Sequence, residues 1–248
     1  KTGGCAVLWT LIAVAILAYV LQNVLHEGVG HGGACLLVGA KLVSLSTAYL
    51  DWDSEGVTDA GRRIIASAGT LVNLAAGLLF WFWLRSTATK SSAFRLFLWL
   101  SMSVNLLTAT GYLLFSGALN VGDWMEVVRG WQPAWAWRLG LVFSGSALYF
   151  LTILAALREL NVMIGDDTRT RVRLAFRLSI VSYLAGCVGS TIGSFLNPIS
   201  MLLVATSAAA SFGGTSALAW MTQLLSTSLF PPRAGVPISI RRSWTWIA

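Results

Sequence analysis

Stretches of about twenty consecutive apolar residues recur from one end of the chain to the other, each long enough as a helix to cross a hydrocarbon core about 30 Å thick. Nothing else constrains the fold as strongly. Lipid offers no partner to a backbone N–H or C=O, so a span buried in it must satisfy its own hydrogen bonds, as an α-helix does. Six spans are expected, at roughly Cys5–Leu25, Ile64–Leu84, Phe94–Phe115, Ala134–Leu157, Leu174–Phe195 and Ile199–Leu225. The fold class that follows is all-α, a polytopic integral membrane protein whose constant partner is the lipid bilayer. Composition agrees, with 56% of the 248 residues hydrophobic and 11% charged, far from the averages of soluble domains. The first apolar run leads directly into a polar motif and lacks a small-residue cleavage site, so it is expected to be retained rather than removed as a signal peptide.

The connecting segments are short and distinct. After the first span comes "GAKLVSLSTAYLDWDSEGVTDAGRR", in which Lys41 to Tyr49 has the β-branched, alternating character of a short strand or hairpin. Asp51, Asp53, Glu55 and Asp59 make the rest of it acidic. "LNP" before Ile199 reads as a tight turn, and residues 226–248, with three of the five prolines, as an extended surface tail. Cys5, Cys35 and Cys187 are odd in number and lack CxxC spacing, which argues against a disulfide framework or a zinc ribbon. Many of the twelve Trp fall near span ends, as an interfacial belt would.

The net charge of +7 comes from Lys and Arg beside the spans, where anionic headgroups attract them. No basic helix or RNA-type aromatic motif accompanies them, so nucleic acid is not an expected partner. Six spans put 12 of the 17 Lys and Arg on the side of the termini and 5 on the other. The positive-inside rule then predicts cytoplasmic termini, in a bacterial-type inner membrane.

Both histidines of the chain lie in "LHEGVGHGG", residues 25 to 33, where the first span ends. Ionisable groups at a membrane edge are costly and point to function with a definite partner. The expected partner is zinc. A catalytic zinc takes three protein ligands, from neutral His and carboxylate, and leaves a fourth position to water. His26, His31 and Asp123 supply such a set, because the third span runs the same way as the first and delivers "SGALNVGDW" to the same face. Glu27, beside the first ligand, is placed to take a proton from water.

The spacing is unusual. In an HExxH helix the histidines are four apart and about 40° around the axis; here they are five apart, about 140° in a regular α-helix. One extra residue absorbed as a π-bulge would return them to one face, and Gly28 and Gly30 ease that distortion. In a second register Glu27 and His31 are the ligands and His26 accepts the proton. Glu126 is the alternative to Asp123, which as a bland reading is only a helix cap or surface acid. Without a metal, the histidines and Glu27 would simply be a polar cluster closing a helix end.

The stretch "HEGVGHGGACLLVGAKLVSLS" resembles the motif region of the site-2-protease-like intramembrane zinc metallopeptidases. "AGTLVNLAAGLLF" resembles that family's Gly-Pro-x-x-Asn span, with Gly69 and Asn73 matched and Thr70 in place of Pro, and "NLLTATGYLLFSGALNVGDW" resembles the span that supplies an Asp ligand. The likeness covers about the first half of the chain. It implies hydrolysis of a peptide bond in or near the bilayer, on a membrane-protein or peptide substrate. The five-residue step is similar instead to the zinc motif of the soluble dipeptidyl-peptidase III family, and the family's site usually faces the cytosol. Asn73 and Asn105 are candidates to hold a substrate backbone or to orient the Asp, against a plain helix-bridging role. The rival expectation is a non-catalytic relative, a structural or assembly subunit among other membrane subunits; a transporter is a weaker third.

Overall fold

The computed structural model describes residues 3–46, 49–86, 91–167, 170–197, 201–233 and 237–248. Five helices among them are long and apolar enough to cross a membrane: Val7–Val38, Asp59–Ser86, Ser92–Leu119, Ala134–Ile164 and Arg171–Phe195. They contain the first five expected spans almost entirely and extend into the polar flanks. In chain order the elements are α1 (Gly3–Asn23), a π-helical stretch (Val24–Gly32), α2 (Gly33–Val38), strands β1 (Lys41–Leu45) and β2 (Leu50–Asp53), α3 (Asp59–Ser86), α4 (Ser92–Leu119), α5 (Asp123–Val128), α6 (Ala134–Ile164) and α7 (Arg171–Phe195). Then follow α8 (Met201–Gly214), α9 (Ala217–Trp220), a 3₁₀ turn (Met221–Ser226) and α10 (Trp244–Ile247).

The sixth expected span is not one helix. Pro198 and Ile199 lie outside the described residues, and α8 stops at Gly214, where two glycines and then Thr215 weaken the helix. Side chains from neighbouring helices take over the backbone groups released there. Tyr183 OH donates to Phe212 O (3.0 Å), while Tyr149 OH donates to Gly214 O (2.9 Å) and accepts from Ala217 N (3.2 Å). Irregular backbone at membrane depth is tolerated when protein satisfies it in this way. Beyond the break the chain returns to the side on which it began. Ile238 N donates to Met163 O near the end of α6 (2.8 Å), and Ser243 N to Thr10 Oγ1 of α1 (3.0 Å). The tail is thus pinned rather than free on the surface, with Phe230 and Ile238 buried and Trp246 against Phe97.

Helix α4 is the centre of the bundle. Of its most apolar stretch 89% is buried, against 39% at most for the other four spans, and every residue from Leu98 to Gly111 is inside. Helices α3 and α6 flank it closely. Backbone contact with α6 depends on Gly145, where a Cβ would stand 2.4 Å from Leu114 N; small residues at such crossings gain dispersion contact where lipid supplies no hydrophobic drive. Leu79, Phe82 and Phe143 remain exposed on the outer faces, as suits a hydrocarbon surround.

A strand is present where Lys41 to Tyr49 was expected to hold one, and its hairpin partner lies beyond Tyr49, in the segment read as an acidic loop. Strands β1 and β2 pair antiparallel, Lys41 opposite Asp53 and Leu45 opposite Leu50, with a bulge at Val43. Leu50 turns inward to join Ala34, Cys35 and Ile65 in a small second core, which fastens the hairpin over the π-helical stretch and α3.

Gly145→Ala should lower stability by about 1–3 kcal/mol through overpacking, seen as a reduced Tm in detergent. Gly140→Ala on the same helix, where a Cβ meets nothing within 4 Å, should leave Tm unchanged. Equal behaviour of the two would refute backbone contact between α4 and α6.

Candidate metal centre

Residues 24–32 wind as a π-helix, in which each hydrogen bond reaches five residues back. Residues five apart therefore stand one turn apart. His26 and His31 do so, with ring centroids 4.7 Å apart at 85° and Nε2 atoms 3.2 Å apart. The sequence contributes glycines at 28, 30 and 32. Only Gly30 is forced to be glycine by packing, since a Cβ there would lie 2.5 Å from Gly69 Cα of α3.

Helix α3 forms the floor beneath the two rings. A Cβ on Gly69 would sit 2.5 Å from His31 Nε2 and 2.8 Å from His26 Nε2, so any side chain there would displace both. Four residues earlier on α3, Ile65 O accepts the His31 Nδ1 proton at 2.7 Å. In the neutral ring this leaves a lone pair on Nε2. The Asn73 amide lies against His26 Nδ1 at 3.1 Å. A half-turn of that amide interchanges its oxygen and nitrogen; with Oδ1 toward the ring it accepts Nδ1–H, and His26 Nε2 is bare as well.

The third group arrives from across the bundle. After α4 the chain turns through Asn120 (φ 61°) and Gly122 (φ 84°), and α5 begins at Asp123. Its Oδ2 stands 3.3 Å from His26 Nε2 and 3.4 Å from His31 Nε2, without the direction of a hydrogen bond. Burial pushes this carboxyl up, but the two imidazoles beside it outweigh that and hold it below the usual carboxylate range.

These separations are the informative quantity. Ligands about 2.0–2.1 Å from a tetrahedral ion stand about 3.3–3.4 Å from one another. The three atoms lie 3.2, 3.3 and 3.4 Å apart, the face of such a tetrahedron, whereas charge-assisted hydrogen bonds are shorter, about 2.7–2.9 Å. His26, His31 and Asp123 can hold a metal ion.

A cavity of about 600 Å³ opens beside them, lined also by Glu27, Gln22, Tyr112 and, across it, Ser207 and Ser211 of α8. Glu27 makes no hydrogen bond to a described protein group and lies outside the three-atom cluster of His26, His31 and Asp123. Glu126, the alternative acid, lines the cavity but pairs with Arg129. Asn73 meets the His26 ring rather than Asp123 or the cavity. Asn105 is turned onto its own helix, donating to Ser101 O at 2.8 Å, and does not line the cavity.

Sequence reasoning missed the Ile65 carbonyl and Tyr112, whose ring lies 5.0 Å from that of His26. Ile65 carried no signal, since every residue has a carbonyl; Tyr112 is one of only five Tyr in the chain and sits in a span aimed at this face. Asp123→Ala should leave only weak metal binding through the two imidazoles, and His31→Ala should abolish stoichiometric metal in purified protein, both measured by elemental analysis. Gly69→Ala should do the same without touching a ligand, and metal retained in Gly69→Ala would contradict the floor assigned to α3. The chain matches no protein-family model, no curated protein and no solved structure.

Proposed function

We propose that this is a membrane-embedded zinc metallopeptidase that hydrolyses a peptide bond in or near the bilayer. The observation that carries the reading is the triangle of two imidazole nitrogens and one carboxylate oxygen at tetrahedral spacing, with Glu27, a carboxylate that has no hydrogen bond among the described residues, on the wall of the same cavity. Two His and one carboxylate are a usual ligand set of a catalytic zinc. When bound, the ion would polarise the scissile carbonyl and acidify a water. Glu27 takes the proton from that water and later gives it to the leaving amine. Asn73 and the Ile65 carbonyl hold the imidazoles in the tautomers that ligation needs, and the cavity between α4, α8 and the hairpin admits an extended peptide.

The test separates metal from chemistry. Purified wild-type protein should hold about one zinc per chain and cleave members of a library of quenched-fluorescent apolar peptides in proteoliposomes. Glu27→Gln should keep the zinc and lose at least about 100-fold in rate. Zinc-free wild-type protein that co-purifies with fixed partners would favour the non-catalytic subunit instead.

Separately from the peptidase reading, we infer from the concentration of basic residues on the terminal side that both termini are cytoplasmic and the α5 end of the bundle lies on the opposite face, in a bacterial-type inner membrane. A Glu55→Cys variant should then react with a membrane-impermeant maleimide added to intact cells more than wild type does. Labelling only after permeabilisation would reverse the orientation.

A further inference from the structure

Asp123 reaches the histidines from a connector, not from a spanning helix, and something must hold that connector in place. Two arginines touch it. Arg63, in the first turns of α3, donates from Nη1 to Val127 O and from Nη2 to Arg129 O (2.8 Å), with its guanidinium 5.0 Å from the centre of the Trp131 ring. Arg138, at the start of α6, donates from Nε to Gly117 O and from Nη2 to Ala118 O, both at 3.1 Å. One guanidinium thus grips the chain where α4 ends, the other where α5 ends, and Asp123 lies between the two grips.

The chemistry of the contacts is specific. The last carbonyls of a helix lack intrahelical donors and carry the negative end of its dipole, so a cation there is favoured. The planar fork of arginine holds several N–H donors in a fixed geometry and reaches two separated carbonyls at once, whereas the ammonium of lysine is a compact point charge without that fork. Among the described residues neither arginine has a carboxylate within ion-pair distance, although others do: Arg62 pairs with Asp59, Arg85 with Glu159 and Arg129 with Glu126. Arg63 and Arg138 are therefore committed to backbone.

We infer that Arg63 and Arg138 are positioning residues for the third metal ligand: they clamp the 117–129 connector from α3 and α6 and so set the distance of the Asp123 carboxylate from the two imidazoles. The inference rests on the metal-binding reading of the site. The connector itself has left-handed or positive φ at Asn120 and Gly122 and only six residues of helix, too little to fix a carboxylate to a few tenths of an ångström unaided. Loss of a group that orients a metal ligand typically costs 10- to 100-fold in metal affinity.

The experiment measures zinc and cobalt affinity, and the cobalt absorption spectrum, in wild type, Arg63→Gln, Arg138→Gln, Arg63→Lys, Asp123→Ala and the double variant Arg63→Gln/Asp123→Ala. Arg85→Gln is the control, an arginine at the opposite end of α3. Affinity should fall 10- to 100-fold in Arg63→Gln and Arg138→Gln, less in Arg63→Lys, and stay within twofold in Arg85→Gln. Their cobalt spectra should shift toward that of Asp123→Ala, and the double variant should bind no more weakly than Asp123→Ala alone, since the clamp acts only through that ligand. Additive losses in the double variant, or unchanged affinity in the single ones, would overturn the assignment. Should Arg63→Gln fail to fold, Arg63→Lys and Arg138→Gln carry the same comparison. Wild-type protein that binds neither metal overturns the metal reading itself, an outcome visible before any variant is made.

Discussion

Two imidazoles five residues apart can share a partner only if the helix between them abandons its four-residue ladder for a turn. That turn is intrinsically poor, and local sequence merely permits it. What holds it is α3: Gly30 is pressed to the backbone of Gly69, and the His31 ring is tied to the Ile65 carbonyl. The same helix lays a bare Cα beneath both Nε2 atoms. Bulge, ring orientation and floor are therefore one interaction between two helices, and the rest of the site is assembled around it.

How much of this could be read from the chain follows from which forces are local. Hydropathy and alternation are local, so five spans and the strand that starts at Lys41 were legible, while its partner Leu50–Asp53 was hidden in what read as an acidic loop; the His26–His31 step, set against helix geometry, pointed to a π turn. The break after Gly214 was passed over although "GGTS" is a local signal for it, because "MLLVATSAAASFGGTSALAW" carries no charge and the hydroxyls that satisfy the break, those of Tyr149 and Tyr183, belong to other helices. Asn105 looked like a site residue because it is an amide in an apolar span, and in the structure its amide caps a carbonyl one turn back. The pinned tail was hidden for a similar reason: Phe230 and Ile238 are isolated among prolines, and only the groove they fill explains them.

Charge is a reason to propose that the cluster holds a cation. Asp123 and Glu27 bring two carboxyl groups to one partly buried cavity, where an uncompensated charge is expensive, and the imidazoles of His26 and His31 are the groups nearest Asp123 that can offset it. The arginines nearest the connector face carbonyls, and Arg129 is occupied by Glu126. A divalent cation at the three-atom triangle would bring the local sum to zero.

The extra residue in the motif also decouples two things that are usually one. In a regular helix the count between ligands fixes the direction of everything downstream; here the slack turn between His26 and His31 lets α2 and the hairpin leave at an azimuth that a shorter motif could not offer. Exposed Val29 is a residue that the wider turn accommodates, and Leu50 with its strand covers the face the chain then reaches. Loop placement, not the spacing of the two imidazoles, is what that single amino acid sets.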